Sequence, residues 1–390
     1  MQLFIGALGL VLLAIPTLVL SQSGSSCYTP VGDPGLCVQL QKCQFVRDLP
    51  SLYGKNIPRS ILNQIRQMEC VGGPEPGKHL CCPNPSVISA QSGTSRDSPN
   101  RKSTITTRQT EENLNRIDPR GMEVLKSVTG CGKKSNIKLS GGEATKIGEF
   151  PWLVLLKYET SGRQFLCGGS LITDRFVLTA AHCTTNDAKL IAVRMGEHDL
   201  DKPQDCQFFG GRRKECLPPY EEFGIEAIRP HPNYKGSINF DIALIKLDRQ
   251  VKFKTHIKPI CLPIVSESRD IAYDQSFYIS GWGTTENNEP SSILLKAVVT
   301  RKDLSVCRNY YINAPANENH ICAVGDGISQ TCKGDSGGPL FFLSAFKRGA
   351  RYVQYGVTSH GGIRCGVSQD QPGVFTSVIN MLPWITQNLY

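Results

Sequence analysis

A serine set among glycines, a histidine and an aspartate are the residues of this chain best suited to chemistry. Ser336 lies in Thr331-Cys332-Lys333-Gly334-Asp335-Ser336-Gly337-Gly338-Pro339-Leu340. Glycines there let the backbone turn tightly and approach a bound group closely. A hydroxyl is a poor nucleophile until a base takes its proton. His182, in Leu178-Thr179-Ala180-Ala181-His182-Cys183, is a base of the right type. Asp241, in Asn239-Phe240-Asp241-Ile242-Ala243-Leu244, could fix the imidazole tautomer and stabilise an imidazolium. The backbone N–H groups of Gly334 and Ser336 could then hold a developing oxyanion, one such donor being worth ~3 kcal/mol.

Three such residues must be carried by a folded scaffold, and composition bounds it. The chain has 390 residues, 40% of them hydrophobic, an ordinary globular content and enough for two or three domains. Met1 to Leu20 is apolar without a charged side chain, and the small Ser21 follows, so 1–21 reads as a secretory signal peptide. Pro16 and the lack of flanking basic residues weigh against a membrane anchor. No other segment is long and apolar enough to span a bilayer. Sixteen cysteines behind an export signal imply a disulfide framework. Cys-x-x-Cys pairs of the zinc type are absent. The net charge of +9 comes from dispersed basic residues, which argues against a nucleic-acid partner.

Along the chain the composition changes twice. Residues 27–82 hold six cysteines, Cys27, Cys37, Cys43, Cys70, Cys81 and Cys82. So short a segment buries little core, so bridges are a physical need, and spacing alone leaves all 15 connectivities open. A turn or short helix is expected over Gln39–Phe45 and a helix over Ile61–Met68. Residues 83–138 read as a linker, with Ser86 to Thr110 rich in Ser, Thr, Asn and Arg and open to proteolysis. From Gly141 onward, short apolar runs broken by turns indicate an all-β barrel domain. Strands are expected at Trp152–Tyr158, Ser170–Ile172, Phe176–Ala180, Ile242–Leu247, Phe277–Gly281, Tyr352–Thr358 and Gly373–Val378. Only Leu382–Asn388 looks like a closing helix.

On the three motifs and the cysteine run ending in adjacent Cys81-Cys82, the chain resembles the CLIP-domain serine proteases of arthropods. The resemblance covers nearly everything after the signal peptide. It implies a disulfide-stapled clip domain at 27–82, a linker or light chain at 83–138, and a chymotrypsin-like double β-barrel at 139–390. The implied catalytic residues are His182, Asp241 and Ser336, with Gly334 and Ser336 as oxyanion hole. The implied bridges are Cys27–Cys81, Cys37–Cys70, Cys43–Cys82, Cys131–Cys261, Cys167–Cys183, Cys206–Cys216, Cys307–Cys322 and Cys332–Cys365. Activation would follow cleavage after Lys138, the new Leu139 amine pairing with Asp335. Cleavage at Lys133 or Lys134, or no efficient activation, is the alternative.

Two positions depart from the family pattern. Leu139-Ser140 stands where Ile-Val or a similar pair is usual, and Ser140 is the weaker strand former. Gln330, six residues before Ser336, is the expected S1 floor, with Gly361 and Gly373 as walls. A neutral amide does not stabilise a buried cation. With Lys333 and Arg364 at the entrance, a neutral P1 residue is expected, unless Asp326 restores a basic preference. The run Gly196 to Cys206 resembles a structural Ca²⁺ loop, with Glu197, Asp199, Lys202 and Asp205 as ligands, hard oxygens suiting that ion. A solvated acidic loop is the alternative.

The resemblance implies a secreted, extracellular zymogen endopeptidase in a proteolytic cascade of arthropod innate immunity, melanisation or the Toll pathway, or of embryonic patterning. Its partners would be a protein substrate such as a downstream zymogen or pro-ligand, an upstream activating protease and serpin inhibitors. The competing reading is a clip-domain binding or cofactor protein with little turnover.

Overall fold

The computed structural model describes residues 25–28, 34–43, 46–47, 65–66, 68–70, 77–83, 116–134, 145–185, 187–209, 213–269, 271–272, 274–285, 289–312, 315–325, 334–347, 349–361 and 371–390. The expected signal peptide, most of the linker, Lys138, Leu139, Asp326, Gln330, Lys333, Arg364 and the pair Cys332 and Cys365 lie outside the described residues. Among those described, no helix is long and apolar enough to cross a membrane. The chain divides into two units, Met1–Arg47 with Ile65–Ser89, and Asp48–Gln64 with Ala90–Tyr390.

The first unit is a four-stranded antiparallel sheet of β1 (Ser26–Tyr28), β2 (Pro34–Gln39), β3 (Glu69–Cys70) and β4 (His79–Pro83), in the order β1-β2-β4-β3. A 3-10 turn at Leu40–Lys42 follows β2. Cys27–Cys81, Cys37–Cys70 and Cys43–Cys82 are bonded, all to the β3–β4 side of the sheet. Buried sulfur makes up much of the core, with Val38 beside Cys43 and Cys82. The helix expected to run through Met68 ends earlier. Met68 is buried, its carbonyl accepts the Cys81 N–H at 2.7 Å, and β3 starts at the next residue.

The first element among the described residues of the second unit is α1 (Pro119–Ser127). It lies in the segment read as linker, although its start carries an ordinary signature. Asp118 accepts the N–H groups of Arg120 and Gly121, and proline occupies the first turn. Met122 and Leu125 turn into the main core. Nine strands follow: β5 (Leu153–Glu159), β6 (Phe165–Leu171), β7 (Phe176–Thr179), β8 (Lys189–Met195), β9 (Cys206–Phe209), β10 (Arg213–Cys216), β11 (Glu221–Phe223), β12 (Ile225–Pro230) and β13 (Ala243–Leu247). Seven of them form one sheet, β11-β8-β5-β6-β7-β13-β12, and β9 and β10 form a separate hairpin closed by Cys206–Cys216.

The second half is a closed barrel, β14-β15-β16-β19-β18-β17. It comprises β14 (Ser276–Gly281), β15 (Leu295–Lys302), β16 (His320–Gly325), β17 (Pro339–Phe346), β18 (Gly349–His360) and β19 (Gly373–Ser377). The all-β expectation therefore holds, as an open seven-stranded sheet beside a closed barrel. Closure removes the unpaired edges that an open sheet must protect. An aromatic cluster welds the halves: Trp152 lies 5.5 Å from both Phe341 and Tyr352, and Phe150 lies 5.0 Å from Phe341.

Two helices differ from expectation. The short α2 (Leu304–Tyr310) was not foreseen, because only Cys307 of its residues is buried and no apolar period marks it; Asp303 caps it through the Ser305 N–H. The closing helix, α3 (Val378–Gln387), starts four residues before the expected Leu382. Pro383 lies inside it, where a proline forfeits a backbone bond. Burial of Val378, Ile379, Met381, Leu382 and Ile385 outweighs that loss. Gly121 of α1 lies so close to α3 that an added Cβ would collide with the Thr386 carbonyl.

Candidate active site

His182 belongs to a 3-10 turn, Ala181–Cys183, that directly follows β7. Cys167–Cys183 ties this turn to β6. Asp241 lies two residues before the start of β13, the partner of β7. The pairing of β7 with β13 thus brings base and carboxylate together at one end of the sheet. Asp241 is 2% exposed, and its carboxylate is fully engaged. Oδ1 accepts the His182 backbone N–H at 2.9 Å. Oδ2 accepts from His182 Nδ1 at 2.7 Å and from Ser359 Oγ at 2.6 Å. Because the carboxylate accepts, Nδ1 carries the proton and Nε2 keeps its lone pair. The Asp241 carbonyl accepts in turn from Thr376 Oγ1 at 2.9 Å.

Ser336 sits on the turn leading into β17. Its carbonyl accepts from Gly168 N–H at 2.8 Å, so β6 holds the nucleophile loop against the first sheet. Gly337 donates to Thr358 O at 2.8 Å, and Gly338 to Asp335 O at 3.0 Å. Gly337 has φ 79°, and a Cβ there would collide with Thr179 Oγ1 and Gly168 O, so glycine is required on both counts. Gly334, at φ 105°, precedes Asp335 and Ser336. Among the described residues, the N–H groups of Gly334 and Ser336 donate to no other group of the chain. No hydrogen bond joins Ser336 Oγ to His182 in this arrangement, whose Nε2 faces Cys183 Sγ at 3.6 Å. Catalytic hydrogen bonds of this kind commonly tighten only when substrate is bound.

Around the triad lie groups whose protonation the fold biases. Burial pushes His360 below the ordinary histidine value, and the His182 charge adds to that, against the attraction of Asp241. Burial also lowers His320, and it raises the Tyr234 hydroxyl with help from Asp241. Tyr311 meets the His360 ring edge-on at 4.9 Å. Gly361 follows β18 and Gly373 opens β19, at the same end of two paired strands.

Asp335 lines a narrow cavity together with Leu155, Gly281 and Trp282. Its Oδ1 accepts from Gly283 N–H at 3.0 Å. Arg163 reaches the same place, donating to Trp282 O at 2.7 Å. Burial lowers the Arg163 pKa and the Asp335 charge opposes this.

The acidic loop after β8 is partly committed to protein partners. Asp199 pairs with Lys202 Nζ at 2.6 Å, and Glu197 with Arg194 at 3.1 Å. Asp205 is close enough to Glu197 to disfavour the ionisation of Glu197. Burial first, then the Asp205 charge, raises the Glu197 carboxyl despite Arg194. Asp205 is likewise raised, first by burial. Two buried carboxylates with raised pKa values are a donor set that a hard cation would suit.

A second charged cluster lies where the segment around Cys131 packs on the trypsin-like part of the same unit. Glu149 accepts from Lys134 at 3.2 Å, from Lys296 at 2.9 Å and from the Lys146 N–H at 3.0 Å. Lys134 also lies over the Tyr352 ring at 4.8 Å from its centroid. Next to it, Cys131 is bonded to Cys261, and Gly132 donates its N–H to Pro259 O and accepts the Tyr352 N–H on its carbonyl. The remaining described bridge, Cys307–Cys322, joins α2 to β16.

Residues reasoning from sequence did not assign to the site are Ser359, which donates to Asp241, and Thr376. Ser359 lies two residues before Gly361, the expected pocket wall. The chain is similar to known proteins along most of its length. Residues 139–385 match the trypsin family, and residues 27–82 match the regulatory CLIP domain of proteinases. The chain is 34% identical to serine protease grass of Drosophila melanogaster, over 93% of this chain and 90% of that one. It is also 34% identical to phenoloxidase-activating factor 3 of Holotrichia diomphalia, over 98% and 99%. The crystal structure of the Drosophila Grass clip serine protease of the Toll pathway superposes with a TM-score of 0.61 at 32% identity, covering 94% of this chain and 97% of that one. With its catalytic-type scaffold and its stapled N-terminal module both matched, the chain belongs to the trypsin family of serine proteases, among the members that carry a CLIP domain.

Proposed function

We propose that this endopeptidase is a secreted zymogen, cut after Lys138 and working by a Ser336–His182–Asp241 mechanism. The observation that carries the reading is the buried Asp241 carboxylate holding His182 by both its backbone and its Nδ1. His182 Nε2 takes the Ser336 proton and returns it to the leaving amine. The free N–H groups of Gly334 and Ser336 receive the oxyanion. Cleavage after Lys138 is favoured over Lys134, whose side chain is 15% exposed and bonded to Glu149, out of reach of another protease. The freed Leu139 amine would pair with Asp335 in its cavity. Gln330 favours a neutral P1 residue. Glu197 and Asp205 would hold a structural Ca²⁺. By the names of its relatives, in the Toll pathway and in phenoloxidase activation, the substrate is another protein of an extracellular immune cascade.

The test is a fluorophosphonate probe applied before and after cleavage at Lys138. Labelling of Ser336 that needs the free Leu139 amine is expected. Cleaved protein that stays unlabelled would return the chain to a binding role. A P1 library profile dominated by Arg and Lys would overturn the reading of Gln330.

A further inference from the structure

We infer that Phe240, seated on the His231 ring, is a positioning residue that sets Asp241 and, through it, the His182 imidazole. The inference rests on the triad reading above. Phe240 has φ 55°, and Lys347 is the other described non-glycine residue with positive φ. An aromatic side chain rarely adopts this left-handed conformation, because its Cβ crowds the backbone. Here the chain on both sides leaves no other place for the bend. Before it, Ile238 O accepts from His320 Nε2 at 3.0 Å, and Asn239 Oδ1 from Asn317 Nδ2 at 2.7 Å. After it, Asp241 O accepts from Thr376, and Ile242 N–H returns to Phe240 O at 2.8 Å, closing a three-residue turn centred on Asp241.

The ring stack accounts for the persistence of this bend. Phe240 and His231 lie face to face, with centroids 4.6 Å apart and planes 15° from parallel. Trp384 of α3 backs His231 at 5.1 Å. His231 cannot slide, since its N–H donates to Ile242 O at 2.9 Å and its Nδ1 accepts from Asn233 N–H at 3.2 Å. The stack and that backbone bond therefore bracket Asp241 from both sides. Without the ring, the turn loses the contact that holds it, and the carboxylate loses its simultaneous aim at His182 N and Nδ1.

The test compares Phe240→Ala, Phe240→Gly and Phe240→Tyr in the cleaved full-length protein, with Asp241→Asn as reference. Expected is a fall in kcat of about 10- to 100-fold for Ala and Gly with KM little changed, as a small misplacement of a catalytic group can cause. The downfield proton resonance of His182 Nδ1 should weaken or vanish in the same variants. Phe240→Tyr, which keeps the stack, should restore both. If Phe240→Ala does not fold, Phe240→Gly decides, because glycine accepts the φ without strain. A folded Ala or Gly variant with wild-type kcat and an unchanged Nδ1 resonance overturns the proposal. Asp241→Asn separates the two readings: if it too retains full kcat, the triad reading falls, whereas its loss beside an intact Phe240→Ala refutes only the positioning role.

Discussion

Glu149→Gln should be among the costlier single substitutions in the protease unit. Glu149 is nearly enclosed, its side chain 7% exposed, and its two lysine partners are 15% and 17% exposed. Burial alone would raise its pKa. The charges of Lys134 and Lys296, then the Lys146 N–H, more than offset this and hold it below the ordinary 4.5. Glutamine keeps the shape and removes the charge, leaving two half-sheltered ammonium groups without a counter-ion. Removing one partner of a buried pair costs about 3–5 kcal/mol, and the residual exposure of the lysines argues for the lower end, ~3 kcal/mol. For a unit of this size that is a fall in Tm of about 6–12 °C. Urea unfolding at neutral pH, with the m-value checked for constancy, measures it. A depressed folded pKa gives stability that is complete above the ordinary value and is lost as pH falls through the folded one. The gap between wild type and variant should therefore narrow on acidification. A loss below about 1 kcal/mol at neutral pH, or a gap indifferent to pH, would refute the reasoning. Replacing Lys134, Glu149 and Lys296 together by apolar residues should cost far less than Glu149→Gln alone.

Gly337→Ala should abolish probe labelling of Ser336 and cost about 1–3 kcal/mol of stability, since both the φ of 79° and the collision with Gly168 O must be relieved. A folded, fully labelled Gly337→Ala protein would contradict the account of the nucleophile turn. Millimolar Ca²⁺ should raise the Tm, by about 2.7 kcal/mol of stabilisation at a hundredfold excess over Kd, and Glu197→Gln with Asp205→Asn should remove the response. A Tm that ignores both Ca²⁺ and chelator counts against the ion.

Some of this was legible in the residues themselves. His182, Asp241 and Ser336 stand in runs whose glycines and apolar neighbours are distinctive, and the strands that carry them show as short apolar stretches. Their ends shifted by one to several residues, because register bonds, not composition, decide where a strand stops. The start of α1 was written in Asp118-Pro119, yet the polar stretch before it obscured the signal. Other features have no local trace. Nothing about phenylalanine suggests a left-handed backbone at Phe240. Ser359 and Asp241 are joined across 118 residues, and Lys296 and Glu149 across 147, by the packing of barrel against sheet.

Cys131–Cys261 spans 130 residues of chain. A cut after Lys138 falls inside that span, so it severs the polypeptide without releasing either piece. Activation by the proposed cut would therefore not change the number of molecules. A surface that captured the N-terminal module would then also keep the protease domain there, for as long as residues 83–130 stay intact. If the proposed cut is made, the N-terminal module would travel with the protease domain as a covalent passenger until the 83–130 segment is cut or the Cys131–Cys261 bond is reduced.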